Sequence, residues 1–97
     1  MASYIMLLNY TQKGIEHVKD SPNRLEAAKK LAKKLDAEIK KFYLTLGGYD
    51  AVVLLEAPND EAVSKFALAV GTQGNVRTTT LRAYSESEFR DLIADLP

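Results

Sequence analysis

Asp50 is the residue of this chain whose type and position most suggest chemistry. It follows Gly47-Gly48-Tyr49 and directly precedes the apolar run Ala51 to Leu55. A carboxylate beside a buried strand could accept a proton, orient a tyrosine, or hold a turn by bonding to free backbone amides. The last role is the common one for an aspartate next to a turn, so a catalytic and a structural interpretation both stay open.

His17 is the only histidine and the second candidate for a catalytic base. Imidazole changes its charge near neutral pH, which suits proton transfer. One histidine cannot build a multi-histidine metal site, and the chain has no cysteine. We therefore expect no metal site and no cofactor. A surface histidine without a chemical role is the alternative interpretation.

Tyr43 and Thr45 are candidates for binding a ligand, because they alternate with Phe42 and Leu44 along one run. In a strand, such alternate residues share a face. If Phe42 and Leu44 meet the helices, the phenol and the hydroxyl face the cavity of a dimer and could orient a small molecule. Alternatively, both are amphipathic residues of an interface.

Tyr49 and Arg24 complete the set of candidate binding residues. Tyr49 is a potential orienting group beside Asp50, and Arg24 lies in the first turn of the long predicted helix, where it could clamp an anion. A salt bridge would explain Arg24 without any ligand.

The composition limits the classes of partner. The 97 residues carry no formal net charge, which removes the usual electrostatic reason for binding nucleic acid. The apolar stretch Tyr4 to Leu8 is too short for a membrane span. Without cysteine there is no sign of an oxidising compartment. We expect one domain over residues 1–97, located in the cytoplasm, with no nucleic-acid or membrane partner.

The apolar patterning predicts four strands, two long helices, one short helical turn and an added C-terminal helix. Ser21-Pro22 is interpreted as a capped helix start, and Gly47-Gly48 as a two-residue hairpin turn in which both glycines take positive φ. The predicted strands are Ser3–Tyr10, Glu38–Leu46, Tyr49–Ala57 and Asn75–Tyr84. The predicted helical segments are Gln12–Lys19, a helix from Ser21 onward, Asn59 to Gly71, and a helix from Ser85 onward. The last of these begins with a capping box formed by Ser85 and Glu88.

This order predicts an α+β fold, the ferredoxin-like βαββαβ arrangement with an antiparallel sheet in the order 4-1-3-2. The first and third strands are then central, and they are the continuously apolar ones. Two helices cover only one face of such a sheet, so the second face needs a cover as well. A second protomer laying its sheet across this one would supply it, and the C-terminal helix is the alternative. We expect a homodimer or a higher oligomer.

The topology also brings three glycine-containing loops to one edge of the domain. They span residues 11–14, 47–50 and 71–75. Glycines would let backbone amides approach a ligand closely there, and they equally suit three tight connections.

The chain resembles the GYD family, which is named for the motif present here as Gly48-Tyr49-Asp50. The resemblance covers nearly the whole chain. It includes the related segments Asp20-Ser21-Pro22-Asn23-Arg24, Phe42-Tyr43-Leu44-Thr45-Leu46-Gly47 and Gly74-Asn75-Val76-Arg77-Thr78.

The resemblance implies a dimeric α+β barrel, a group that includes cofactor-free monooxygenases, isomerases and dehalogenases. It marks Tyr49, Asp50, Tyr43 and Arg24 as family positions and implies no particular reaction. Two hypotheses follow. The first is a small-molecule-binding barrel dimer, or a cofactor-free enzyme on an aromatic or enolisable substrate with Asp50 or His17 as base. The alternative is a non-catalytic ligand-sensing or oligomerisation module.

Overall fold

A computed structural model describes all residues, 1–97, as four strands, four α-helices and one 3₁₀ turn. Their bounds are β1 Ala2–Tyr10, α1 Gln12–Glu16, the 3₁₀ turn Val18–Asp20, α2 Ser21–Lys34, β2 Glu38–Leu44, β3 Ala51–Ala57, α3 Asp60–Thr72, β4 Val76–Ala83 and α4 Glu86–Ala94.

The four strands form one antiparallel sheet in the order β2-β3-β1-β4. This is the predicted order 4-1-3-2 read from the other edge, so the ferredoxin-like α+β fold is confirmed. The register places Met6 opposite Val53 and Thr80, which makes β1 the link between both halves of the sheet.

One face of the sheet is covered by α2 and α3. Burial alternates along β3, where Ala51, Val53, Leu55 and Ala57 are buried and the residues between them are half-exposed. The same face of β1 contributes Tyr4 and Met6, and Phe66 of α3 fills the centre of the core. This alternation decides which side chains meet the helices.

Local capping chemistry sets the starts of α3 and α4. The Asn59 side chain accepts a hydrogen bond from the Ala62 amide, and Ser85 and Glu88 form the predicted capping box. The hydrogen bonds from Ser85, first that of its backbone amide, lower the pKa of Glu88.

The helix start at Ser21 is confirmed, but its predicted capping role is wrong. The 3₁₀ turn runs directly into α2, so Ser21 already has helical φ and ψ and makes no capping hydrogen bond. Its hydroxyl instead pairs with the Tyr10 hydroxyl at 2.9 Å and accepts from Arg24.

A polar contact ties the start of α3 to the sheet. The hydroxyl of Tyr4, which is buried, donates to a carboxylate oxygen of Asp60 at 2.5 Å. Burial, together with this carboxylate, raises the pKa of Tyr4.

The opposite face of the sheet, here called the open face, has no helix over it. Its apolar side chains are only partly shielded from solvent. They are Ile5, Leu7, Tyr43, Val52, Leu54 and Leu81.

The C-terminal helix α4 makes few contacts with the rest of the chain, and its Phe89 is 54% exposed. The molecule is accordingly thin, 17 Å in its shortest dimension. None of its helices has the length and apolarity needed to span a bilayer.

Candidate functional site

A cleft of about 380 Å³ opens between the helices and the covered face of the sheet. Fourteen of its twenty lining residues are hydrophobic, so its wall is mainly apolar. They include Leu8 of β1, Leu25 of α2, Phe42 and Leu44 of β2, and Val53 of β3. The polar residues on its lining are Ser21, Arg24, Asp50, Gln73 and Asn75, together with the hydroxyl-bearing Tyr10.

The cleft exists because the wall formed by β2 is incompletely covered. Leu44 lines the cleft and is 71% exposed. A register shift between Ile39 and Lys41 in the pairing of β2 with β3 lets Ile39 and Phe42 lie on the same face, although they are three residues apart. An apolar surface of this kind is available to a ligand.

Asp50 is held in place in the cleft by both its backbone and its side chain. Its amide donates to the Leu8 carbonyl at 2.8 Å, and its carbonyl accepts from the Thr45 amide at 2.9 Å. Its carboxylate oxygen Oδ2 accepts from the Tyr10 amide at 2.8 Å. The Asp50 side chain therefore binds the backbone amide of Tyr10, as the structural interpretation of this residue predicts. This hydrogen bond continues the pairing of β1 with β3 beyond the last backbone hydrogen bond.

The turn before Asp50 differs from the predicted two-residue hairpin. β2 ends at Leu44 and β3 begins at Ala51, so six residues connect them. The hydroxyl of Thr45 donates to the Tyr49 carbonyl at 2.6 Å and closes this wider loop. Gly47 has a φ of 120°, whereas Gly48 lies outside the left-handed region, so the prediction that both glycines take positive φ is wrong.

This difference predicts that the two glycines respond differently to alanine. Gly47→Ala should lower the free energy of unfolding by about 1–2 kcal/mol, because an L side chain is strained at that φ. Gly48→Ala should change it by less than about 0.5 kcal/mol, since no atom lies within 4 Å of the added Cβ. Urea unfolding of both variants checks this, and equal losses would contradict the loop geometry.

The three predicted loops do meet at one edge. The Thr11 amide donates to the Asn75 carbonyl at 3.0 Å, and the Thr11 hydroxyl donates to the Gly74 carbonyl at 2.6 Å. The bond from Tyr10 to Asp50 brings the third loop to the same place. The donors of this edge thus bond to carbonyl and carboxylate oxygens of the same edge, which agrees with the interpretation of its glycines as parts of tight connections.

Arg24 lines the cleft, and the expected alternative of a salt bridge is wrong, since its guanidinium pairs with no carboxylate of the chain. It donates to the carbonyl oxygens of His17 at 2.9 Å and Gly14 at 3.3 Å, and to the Ser21 hydroxyl at 3.1 Å. These carbonyls lie at the C-terminal end of α1, where a helix leaves acceptors free. Arg24 therefore clamps α1 to the start of α2.

The other four candidates lie outside the cleft lining. His17 is exposed at the end of α1. Tyr43 lies on the open face opposite Val52 and is 51% exposed, as expected once Phe42 and Leu44 line the helix side. Thr45 lies in the loop after β2, so its predicted place on the strand is wrong. The Tyr49 side chain is exposed.

Four other polar residues of the cleft were not proposed as site residues from the sequence. They are Tyr10, Ser21, Gln73 and Asn75. For Gln73 and Asn75 a signal existed, because the loop at residues 71–75 was predicted to lie at this edge. Tyr10 and Ser21 come together only through the packing of α2 on β1.

The architecture defines a ferredoxin-like α+β domain with a mainly apolar cleft under its helices. The chain belongs to the GYD family, since the model of the GYD domain matches residues 4–93.

A relative from Thermus thermophilus, the glutamine synthetase and cystathionine beta-lyase binding protein, is 32% identical over 97 residues, covering 99% of both chains. Two regulators of Mycobacterium tuberculosis are similar in structure. The leucine response regulatory protein has a TM-score of 0.66 at 20% identity, covering 87% of this chain and 51% of its own. The feast or famine regulatory protein complexed with L-methionine has a TM-score of 0.66 at 21% identity, covering 89% and 54%. The chain spans about half the length of these regulators, and at this identity the likeness shows the shared fold alone.

Proposed function

We propose that this chain is a non-catalytic, small-molecule-binding protein that acts through the cleft under α2. The observation that carries this proposal is an apolar cavity of about 380 Å³ with fixed polar groups on its lining. Small-molecule sites in proteins have this character, with volumes of about 300–1,000 Å³ and few polar groups. The cleft is at the lower end of that range, so a small metabolite fits it better than a nucleotide.

The hydrogen bonds of the cleft support binding over turnover. Asp50 is bonded to a backbone amide and Arg24 to backbone carbonyls, so both charges are fixed. Fixed groups orient a ligand at low entropic cost. His17, the other candidate base, lies outside the cleft lining. A cofactor-free enzyme is the competing proposal, and consumption of a bound compound by the protein would favour it.

A thermal-shift screen against small metabolites tests the binding proposal. At ten times its Kd, a ligand should stabilise the fold by about 1.4 kcal/mol, or roughly 5 °C or more for a domain of this size. Ala28→Leu places a larger side chain in the cleft and should abolish the shift. Ala27→Leu, on the exposed side of the same helix, should preserve it.

The two variants separate cleft binding from binding elsewhere. If no compound produced a shift that Ala28→Leu removes and Ala27→Leu keeps, the proposal would be wrong.

We further propose that the protein is a homodimer joined through the open face. Its accessible surface is 6713 Å², whereas a compact monomer of 10.8 kDa exposes about 5,500 Å². Its radius of gyration is 14.6 Å, against about 12.5 Å for a compact chain of this length. The excess of about 1,200 Å² is larger than the roughly 800 Å² that each partner buries in a standard interface, so it is sufficient for one.

A protein-binding role is the second candidate, and α4 favours it. Its apolar residues Phe89, Leu92 and Ile93 are each at least half exposed. The Thermus relative is named for binding glutamine synthetase and cystathionine beta-lyase. Co-elution tests this role: the purified chain should elute together with either enzyme from its own organism, and Leu92→Asp should abolish the co-elution.

The cytoplasmic location and the exclusion of nucleic acid stay predictions from the sequence.

A further inference from the structure

We infer that the ligand of the cleft carries a primary ammonium group on an aliphatic or aromatic body, and that Oδ1 of Asp50 receives this group. The inference rests on the proposed function and adds the chemical class of the ligand. Its starting point is that only one of the two Asp50 carboxylate oxygens has a hydrogen-bond partner in the protein.

The Asp50 carboxylate is held ready for a donor. The backbone of Asp50 is fixed on both sides by Leu8 and Thr45, and its Oδ2 is fixed by Tyr10. Oδ1 therefore has a defined position, and no protein donor reaches it. A charged acceptor held in place makes hydrogen bonds about twice as strong as those between neutral groups.

The surroundings of Asp50 favour a cation over a neutral donor. The flanking wall is apolar, with Leu8, Leu44, Ala51 and Val53 on the lining. In such surroundings a charge pair is weakened less by solvent than at an open surface. A ligand with an ammonium group and an apolar body would satisfy the carboxylate and cover the wall together.

Arg24, the other charged residue of the lining, does not reverse this preference. Both hydrogens of its Nη2 and one of its Nη1 are directed to Ser21, Gly14 and His17. The guanidinium thus faces the junction of α1 and α2. Two of its five N–H groups remain, and they are open to the carboxylate that an α-amino acid carries in addition to its ammonium group.

Gln73 and Asn75 add neutral amides to the lining, and their side chains make no hydrogen bond within the chain. They could bind a second polar group near the ammonium. The same ammonium chemistry could therefore come from a simple amine or from an α-amino acid.

Three compounds with one branched carbon skeleton separate these sources. They are 3-methylbutylamine, leucine and 4-methylpentanoic acid, titrated into the wild-type chain at neutral pH by calorimetry. We expect the amine, leucine or both to bind at least about tenfold more tightly than the acid, the ratio that a hydrogen bond to a charged group provides. Tighter binding of leucine than of the amine would assign amino acids as the source, and the reverse would assign amines.

Asp50→Asn tests the assigned atom, because the amide oxygen can still accept from Tyr10 while the charge is lost. This variant should reduce the preference for ammonium to less than about threefold. Glu56→Gln removes a carboxylate outside the cleft lining and should leave the preference unchanged.

Preferred binding of the acid would overturn the inference and leave the cleft as a binding site. Hits in the thermal screen that all lack an ammonium group would overturn it in the same way. Absence of any cleft-dependent hit would remove the proposed function as well. The wild-type titrations decide the matter even if Asp50→Asn fails to fold.

Discussion

Gly14→Ala should lower the free energy of unfolding by about 3 kcal/mol, the upper part of the usual range for overpacking a buried site. Gly14 is buried in α1, and an added Cβ would lie 1.9 Å from the carbonyl oxygen of Asn75. That oxygen belongs to the backbone and already accepts from the Thr11 amide. The methyl group can be accommodated only if α1 and the start of β4 separate. Urea unfolding measures the loss.

Gly71→Ala is the matched control for this substitution. Gly71 lies near the end of α3, and no atom lies within 4 Å of the position that an added Cβ would take. Alanine should therefore be neutral or should stabilise the helix by up to about 1 kcal/mol. Equal stability of the Gly14 and Gly71 variants would mean that α1 and Asn75 do not approach each other as described.

Leu54→Lys should weaken the proposed dimer by at least about a hundredfold, because it places a charge in the middle of an apolar interface. Leu54 lies on the open face, opposite Ile5 of β1. In the separated protomer the lysine can reach water, so the fold itself should survive. Sedimentation velocity across concentration, with circular dichroism on the same samples, measures both effects.

Leu68→Lys serves as the control, since Leu68 on α3 is already 72% exposed. It should leave the dimer intact. A wild-type chain that stays monomeric at all concentrations would contradict the homodimer, and a dimer insensitive to Leu54→Lys would place the interface elsewhere.

The topology was predictable because central and edge strands differ in composition. β1 and β3 are mainly apolar on both faces, whereas β4 consists largely of threonine and arginine. Capping by Asn59 and Ser85 was predictable for a local reason, since the cap and its amide lie three residues apart.

The site was only partly predictable. Asp50 was expected as a candidate base and Arg24 as a candidate binding residue, and both line the cleft. A cavity between two protomers was expected on the face of Tyr43 and stays a prediction, whereas the cleft of the single chain lies on the other face. Phe42 and Leu44 were expected to lie on the helix side of the sheet, and they do. The alternation of side chains along a strand determines the face of each residue but not the distance to the helix above it.

Short-range geometry explains the remaining differences. The register shift before Lys41 changes which residues of β2 share a face, and no glycine or proline marks it in the sequence. The loop closed by Thr45 and Tyr49 depends on a side-chain hydrogen bond that competes with continued strand pairing.

A crystal structure of the chain with the compound that gives the largest thermal shift tests the central proposal most directly. We predict that the compound lies between α2 and the sheet, with its apolar part against Leu44 and Val53 and its polar group at Asp50. A compound bound on the open face beside Tyr43, with the cleft unchanged, would contradict the account.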